Sequence, residues 1–552
     1  MAIDTINVSG TAYGLTDSDA MHKGIDYVTA GKAQGSLVGN NSTAEGTINY
    51  STGIASHAEG TYTSASGDYS HAEGKGTSAR SLIASGEGAH AEGIMTWANG
   101  EGAHAEGFYS TAYSNYSHAE GESTVVTGVD AHAEGSHTSA TAQRAHAEGS
   151  YTSAGGTDSH AEGADTAASA TCAHAEGNTS RATNSYAHAE GYNTSATGSG
   201  AHSEGYITSA NGYYSHAEGE ATIANARNTH TEGYYTSTTS GSAAHAEGSY
   251  SVAVGPSSHA EGNYTCALGF AAHVEGSGTS GSPALYSFAI GNYSHAEGEQ
   301  TTAIGVGAHV EGGYNGTNGQ YAHAEGCATS ANAAYAHTEG NCTLVLRTAG
   351  HAEGGHTVSN DTYAHAEGNT TTAVGAASHA EGNGTFTGAA NAHAEGRDTK
   401  ALGEQSHAEG LSTTASNSGG SHAEGTMTSA GGYVAHAEGY YTVCGGNYGS
   451  HAEGNATSAL ANQCHAEGEG TVANCNAQHV EGKYNIIDLQ GKYAHIIGNG
   501  TSANRANIFT VDWEGDVTAS KLNGTAISEL ATKTYVDLQI QNAITNALNA
   551  SY

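Results

Sequence analysis

Large side chains are scarce in this chain. Its 552 residues include only 5 Phe, 2 Trp, 4 Met and 2 Pro. A conventional core gains about 1.5–3 kcal/mol from each large apolar side chain that it fully buries. Most apolar positions here are Ala, so the length does not imply several ordinary globular domains. Cations are scarce as well: 15 Lys and Arg stand against 54 Asp and Glu, a formal net charge of −39. Repulsion from phosphate then argues against a nucleic-acid partner. No apolar run approaches the ~18 residues of a membrane span. The start, Met1-Ala2-Ile3-Asp4, lacks the basic segment and apolar stretch of a signal peptide. The 7 cysteines form no C-x-x-C pair and fall at different phases of the chain. They read as incidental thiols, neither a disulfide framework nor a metal cage, which fits synthesis in a reducing cytoplasm.

What is present is a repeat. Thirty times a His is followed two residues later by Glu and then Gly, from His57-Ala58-Glu59-Gly60 to His479-Val480-Glu481-Gly482. Of the 29 steps between these histidines, 24 are 14 residues long, three are 15, and the other two are 19 and 22. Disordered low-complexity tracts do not keep such phase, and the 80 Gly do not recur at every third residue as collagen requires. One short unit stacked on itself keeps such phase.

Aligned coils read Ser/Ala-His-Ala-Glu-Gly, two variable residues, Thr-x-Ala-x-Gly, then two more. Each half alternates with period two and ends in Gly, which predicts a strand of about five residues and a turn. Glycine is expected to relieve the turn sterically. Alternation puts Ser70, Ala72 and Gly74 on one side of the first strand and His71 and Glu73 on the other; Thr63, Ala65 and Gly67 share a side of the second. Two strands lined with small residues make a flat all-β roll, a parallel solenoid of 14-residue coils with the His/Glu face turned out. At about 4.8 Å per coil the array spans on the order of 140 Å. Stacked glutamates about 5 Å apart repel by roughly 0.8 kcal/mol in water, so a histidine ladder beside them is a natural counter-charge.

The coil S-H-A-E-G-x-x-T-x-A-x-G-x-x resembles the 14-residue haemagglutinin repeat of trimeric autotransporter (YadA-like) adhesin heads, over about residues 43–498. Near-identical His-Ala-Glu-Gly arrays are also similar to repeats in tail fibres and tail-spike proteins of phages infecting Gram-positive bacteria. The resemblance implies a left-handed parallel β-roll that assembles as a homotrimer. In the family the first strand reads Ser-Val-Ala-Ile-Gly and its Val/Ile face lies at the trimer core. Here His and Glu take those two slots. Carried over by position, His57 and Glu59, His71 and Glu73, His104 and Glu106, His118 and Glu120, and His132 and Glu134 would face the threefold axis. So would His216 and Glu218, His309 and Glu311, His407 and Glu409, and His479 and Glu481. The last coil, His495-Ile496-Ile497-Gly498, restores the family's Ile, and Thr43-Ala44-Glu45-Gly46 lacks the His. Both read as end coils with altered faces.

Three uses of the column are open. In a polar trimer core, His of one chain pairs with Glu of its neighbour and fixes register. Pairing would raise the His pKa values and depress those of Glu, with stability greatest at weakly acidic to neutral pH. Protonating all thirty motif histidines would take the charge from −39 to −9. In a metal column, threefold His rings hold a few Zn, Ni or Fe ions, whereas thirty stacked dications would repel one another. The third use is plain solvent exposure. Catalysis is a poor reading, because thirty identical His-x-Glu units lack the singularity of an active site and the spacing is not H-E-x-x-H. No cofactor is otherwise expected.

Tyrosines gather at the two turns beside the His strand. Tyr69, Tyr116, Tyr186 and Tyr363 lie two residues before a motif His; Tyr62, Tyr151, Tyr250 and Tyr264 lie five after one. They suit either seams between rolls or a glycan-contacting rim. The two long steps, around Arg80–Ala84 and Ser280–Tyr286, read as surface loops. Residues 1–42 lack the repeat and read as a cap or attachment segment. Residues 499–525 read as a β neck, with Phe509, Val511 and Trp513 on one strand face. This segment resembles C-terminal necks of phage tail proteins. Residues 526–552 read as a trimerising helix whose seam is Val536, Ile540, Ile544 and Ala547, or as an ordinary amphipathic helix on the neck. The expected protein is a non-enzymatic trimeric fibre of a phage or prophage tail, made in the host cytoplasm and carried on the virion. Its partners would be a host-surface glycan or protein and other tail proteins. A bacterial cell-surface adhesin, or a spacer whose binding tip lies on another chain, are the alternatives.

Overall fold

The computed structural model describes residues 5–8, 11–14, 39–279, 286–417, 419–522, 525–526, 538 and 540–546. Among the described residues it is all-β apart from one short helix, and the chain divides into two compact units, the first ending at Tyr286 and the second beginning at Ser287.

In the first unit, five-residue strands from Thr43–Thr47 to His273–Ser277 form one parallel sheet. Two- and three-residue strands from Tyr50–Ser51 to Thr265–Ala267 form a second. In the second unit the same pair of sheets runs from His295–Glu299 to His479–Lys483 and from Ser287–Ala289 to Val472–Ala473. Within each unit the register places like on like: His104, Ala105, Glu106 and Gly107 pair with His118, Ala119, Glu120 and Gly121. The array is therefore the parallel β-solenoid that the period implies, one coil per repeat. A hairpin of Thr5–Val8 and Thr11–Gly14 precedes it in the chain.

Alanine fills the interior. Ala58, Ala72 and Ala105 from the long strands, and Ala65, Ala84 and Ala98 from the short ones, are fully buried. Larger fillers such as Leu82, Val126 and Val310 are exceptions. The preference for Ser or Ala before the His has a simple reason. Both are small, and at Ser70 and Ser215 the hydroxyl donates to the carbonyl three residues back, which satisfies it internally.

The boundaries differ from the five-plus-five reading. The long strand begins at His and continues one residue past Gly, while the short strand keeps only two or three residues. The tight corners are mostly not glycine corners, Gly88, Gly102 and Gly200 being among the exceptions. Each coil turns at two left-handed residues, two before and five after the His, and many are bulky: Tyr69 (φ 61°), Tyr116 (φ 57°), Tyr151 (φ 59°) and Ile207 (φ 59°). Each corner amide donates to a carbonyl of the preceding coil, as Tyr69 does to Ile54 and Ile207 to Tyr192. Those bonds hold the chain where a side chain disfavours it. Ile207 is exposed, so Ile207→Asn should stabilise the roll by about 1 kcal/mol by relieving a β-branched residue in this region. A melting temperature unchanged or lowered would count against this.

The first long step does not project as a loop. It lies down on the next two coils: Arg80 stacks on Trp97 and Tyr109 at 4.5 and 4.9 Å, and Trp97 Nε1 donates to the Ser81 carbonyl at 2.8 Å. Of the second step, residues 280–285 lie outside the described residues. At the end of the second unit, Tyr493–Asn499 pairs parallel with His479–Lys483, then antiparallel with Asn507–Asp512, which pairs antiparallel with Val517–Ala519. This reversal stops the parallel stacking and adds two antiparallel strands, within the segment expected to be a β neck.

Candidate functional site

The site is the outward face of the long strands. Alternation buries the Ala between them and leaves His and Glu half-exposed on one flat face of each unit. Parallel register then stacks every His on the next. Ring centroids of successive histidines lie 4.8 Å apart at His71–His90, 4.6 Å at His104–His118 and 4.7 Å at His216–His230. In the second unit His309–His323, His407–His422 and His465–His479 are 4.8, 4.7 and 4.7 Å apart. Most rings are near parallel, though His57–His71 is edge-on at 64°.

Most imidazoles point Nε2 along the strand toward their own glutamate. The Nε2 to Oε2 distance is 3.5 Å at His57–Glu59, 3.6 Å at His71–Glu73 and His104–Glu106, and 3.7 Å at His118–Glu120 and His132–Glu134. It is 3.9 Å at His216–Glu218 and 3.8 Å at His407–Glu409. These are Coulomb contacts, longer than hydrogen bonds. Glu481 instead approaches His495 of the next coil at 3.3 Å, and the Glu311 backbone carbonyl accepts a bond from Asn315. Both end coils take the places expected: Thr43 pairs with His57 and meets its Nδ1 at 2.7 Å, and Ile497 pairs with Glu481.

Pairing with the glutamates of neighbouring chains would raise the histidine pKa values; within the single chain the direction is opposite. Burial lowers the pKa of His90, His104, His118, His132, His188 and His202, and the adjacent His of the stack lowers it further. The glutamates pull the other way more weakly. His245, between His230 and His259, is lowered to about 4. The cause is geometric: stacking removes Nε2 from solvent, while the carboxylate beside it stays half in water and is screened. A second imidazolium less than 5 Å away on the stack then adds repulsion.

Many tyrosines occupy the left-handed corners, and others, such as Tyr192 and Tyr206, end the long strands. Tyr69, Tyr186 and Tyr363 are about two-thirds exposed, while Tyr250 and Tyr264 stack on each other at 4.8 Å, and Tyr192 and Tyr206 at 5.0 Å. Rings stacked this way cover each other's faces, leaving edges and hydroxyls for a ligand. Of the proposed helical seam, Ile540 and Ile544 lie on the described helix and are half-exposed; Val536 and Ala547 lie outside the described residues. No described helix is long and apolar enough to cross a membrane.

All seven cysteines are free. Burial pushes the Cys266 thiol up to about 11 and that of Cys444 up to about 12, and it also raises Cys464. A disulfide reagent should therefore label the exposed Cys172, Cys327 and Cys342 rapidly and the buried three only after unfolding. Uniform labelling of all seven in the native protein would contradict the burial.

Comparison with protein-family models and with curated proteins finds no match to this chain.

Proposed function

We propose that the chain is the subunit of a homotrimeric, non-enzymatic fibre, most simply a phage or prophage tail fibre that engages a host surface. Three left-handed rolls would turn their His/Glu faces toward a common axis, with the neck and the terminal helix holding the chains in register. The observation that carries this reading is the column itself. Each unit displays a ribbon of imidazole and carboxylate that keeps its slot from coil to coil, with mostly Ala packed behind it. A surface under no structural demand would vary as freely as the corners do. The neck adds support: Ile508, Trp513 and Val517 are exposed beside the coil in which Ile497 takes the Glu slot, and Ile540 and Ile544 share one exposed helix face.

Light scattering on the purified chain should give three times the 55.3 kDa monomer mass. A monomer across micromolar concentrations would rule the reading out. Given a trimer, fluorescently labelled protein should bind whole cells of the host and no unrelated cells, and mass spectrometry of purified particles should find the chain in the virion.

A further inference from the structure

The expected threefold metal rings would draw one imidazole from each of three chains. The structure brings a different set of donors together within one chain. His188, Glu190 and the next coil's His202 place a nitrogen, a carboxylate oxygen and a second nitrogen all within 4.8 Å of one another. His245, Glu247 and His259 do the same, and the arrangement recurs along the column.

We propose that the column binds divalent transition-metal ions in the gaps between successive coils, each ion held by two stacked imidazoles and the glutamate of one coil.

Three observations support it. First, the Nε2 atoms of His188 and His202 are out of solvent and make no hydrogen bond. The glutamate of the same strand stands at 3.8 and 3.7 Å from them, beyond hydrogen-bonding range. A buried nitrogen without a partner is a cost that an ion would remove. Second, the donor set suits the metal class. Two imidazoles and one carboxylate favour Zn, Ni or Cu over Mg or Ca, and leave a fourth position for water. Third, all the donors are reachable by side-chain movement: His188, His202 and Glu190 are part-exposed. The two rings stack parallel within 1°, 4.6 Å apart, so each must tilt out of the stack to aim its in-plane lone pair at an ion held at about 2.0–2.2 Å.

The geometry also limits occupancy. His202 belongs both to the gap below it and to the gap above, with Glu204 and His216. One nitrogen cannot serve both gaps, and adjacent dications would repel strongly at this spacing. Filling therefore stops at alternate gaps.

The test uses the full-length protein, stripped with chelator and then dialysed against micromolar free Zn(II), with bound metal counted by elemental analysis. Several ions per chain are expected, saturating at or below one per two coils. Cobalt(II) in place of zinc should give the intense visible absorption of a four-coordinate nitrogen–oxygen site. The variant Glu190→Gln, Glu204→Gln, Glu218→Gln keeps side-chain size but removes three carboxylates, and should lose roughly one to two ions per chain. Fewer than one zinc per chain at saturation would overturn the inference. So would an unchanged count in the variant, which is what rings of imidazole alone predict. Light scattering on the metal-free sample separates this from the trimer reading. A trimer that takes up no zinc sinks only the metal sites, whereas a monomer that fills them sinks only the trimer.

Discussion

Replacing Gly135 by alanine should break the array at that coil. Gly135 holds φ at +115°, and a Cβ there would lie 2.0 Å from the Gly149 carbonyl oxygen of the next coil. That oxygen is backbone and part of the parallel sheet, so it cannot swing aside. The conformational penalty of about 1–3 kcal/mol adds to an overpacking penalty of about 1–3 kcal/mol. In a solenoid each coil is held by its neighbours, so the damage concentrates at one interface. Hydrogen exchange should then show strands His132–Ser136 and His146–Ser150 opening well before the remainder. The control, Ser136→Ala in the same strand, should change stability by less than about 0.5 kcal/mol. An unchanged melting curve and exchange pattern for the glycine variant would refute the account of why this residue ends every His-x-Glu motif.

That slot was legible in the sequence as a glycine but for the wrong reason. Glycine at a strand end suggests a turn; here it lies inside the strand, and the close approach of the next coil demands it. The true corners carry Tyr, Ile, Cys and Met as often as the Asn, Asp and Gly that turn propensity would select. They are held by hydrogen bonds to the preceding coil, a long-range restraint that local composition does not record. The faces were legible because alternation in Ser-His-Ala-Glu-Gly leaves little choice, and the end coils because Thr43 and Ile497 depart from the motif at fixed phase. The lie of the first insertion was not legible: that Arg80 folds back onto Trp97 depends on a partner one coil further along. The trimer axis is a matter of assembly and rests on resemblance.

Acidification should destabilise the array, the reverse of what pairing His with Glu in sequence suggests. His–Glu adjacency at two residues is visible in the chain, whereas the burial of Nε2 by stacked rings is not. His245 shows the balance most clearly. It is packed between His230 and His259, with Glu232 and Glu247 at the edge of the stack, and its pKa falls to about 4 because desolvation and the two histidines outweigh the carboxylates. The ordinary value is 6.5. A histidine with a lowered folded pKa takes up its proton more readily in the unfolded chain. Its contribution is therefore intact above about pH 6.5 and is lost as pH falls from there toward about 4. His90, His104, His118, His132, His174, His188 and His202 shift in the same direction, so the losses accumulate along the first unit. Each is part-exposed and screened, so the individual effects are small and the sum is what a melt would detect. Measured in chelator to keep metals away, the melting temperature should drop steadily between about pH 7 and pH 4.5, and amide protection in His245–Ser249 should go with it. A melting temperature that rises over that interval would mean that carboxylates from neighbouring chains, and not the stack, control the charge on the column.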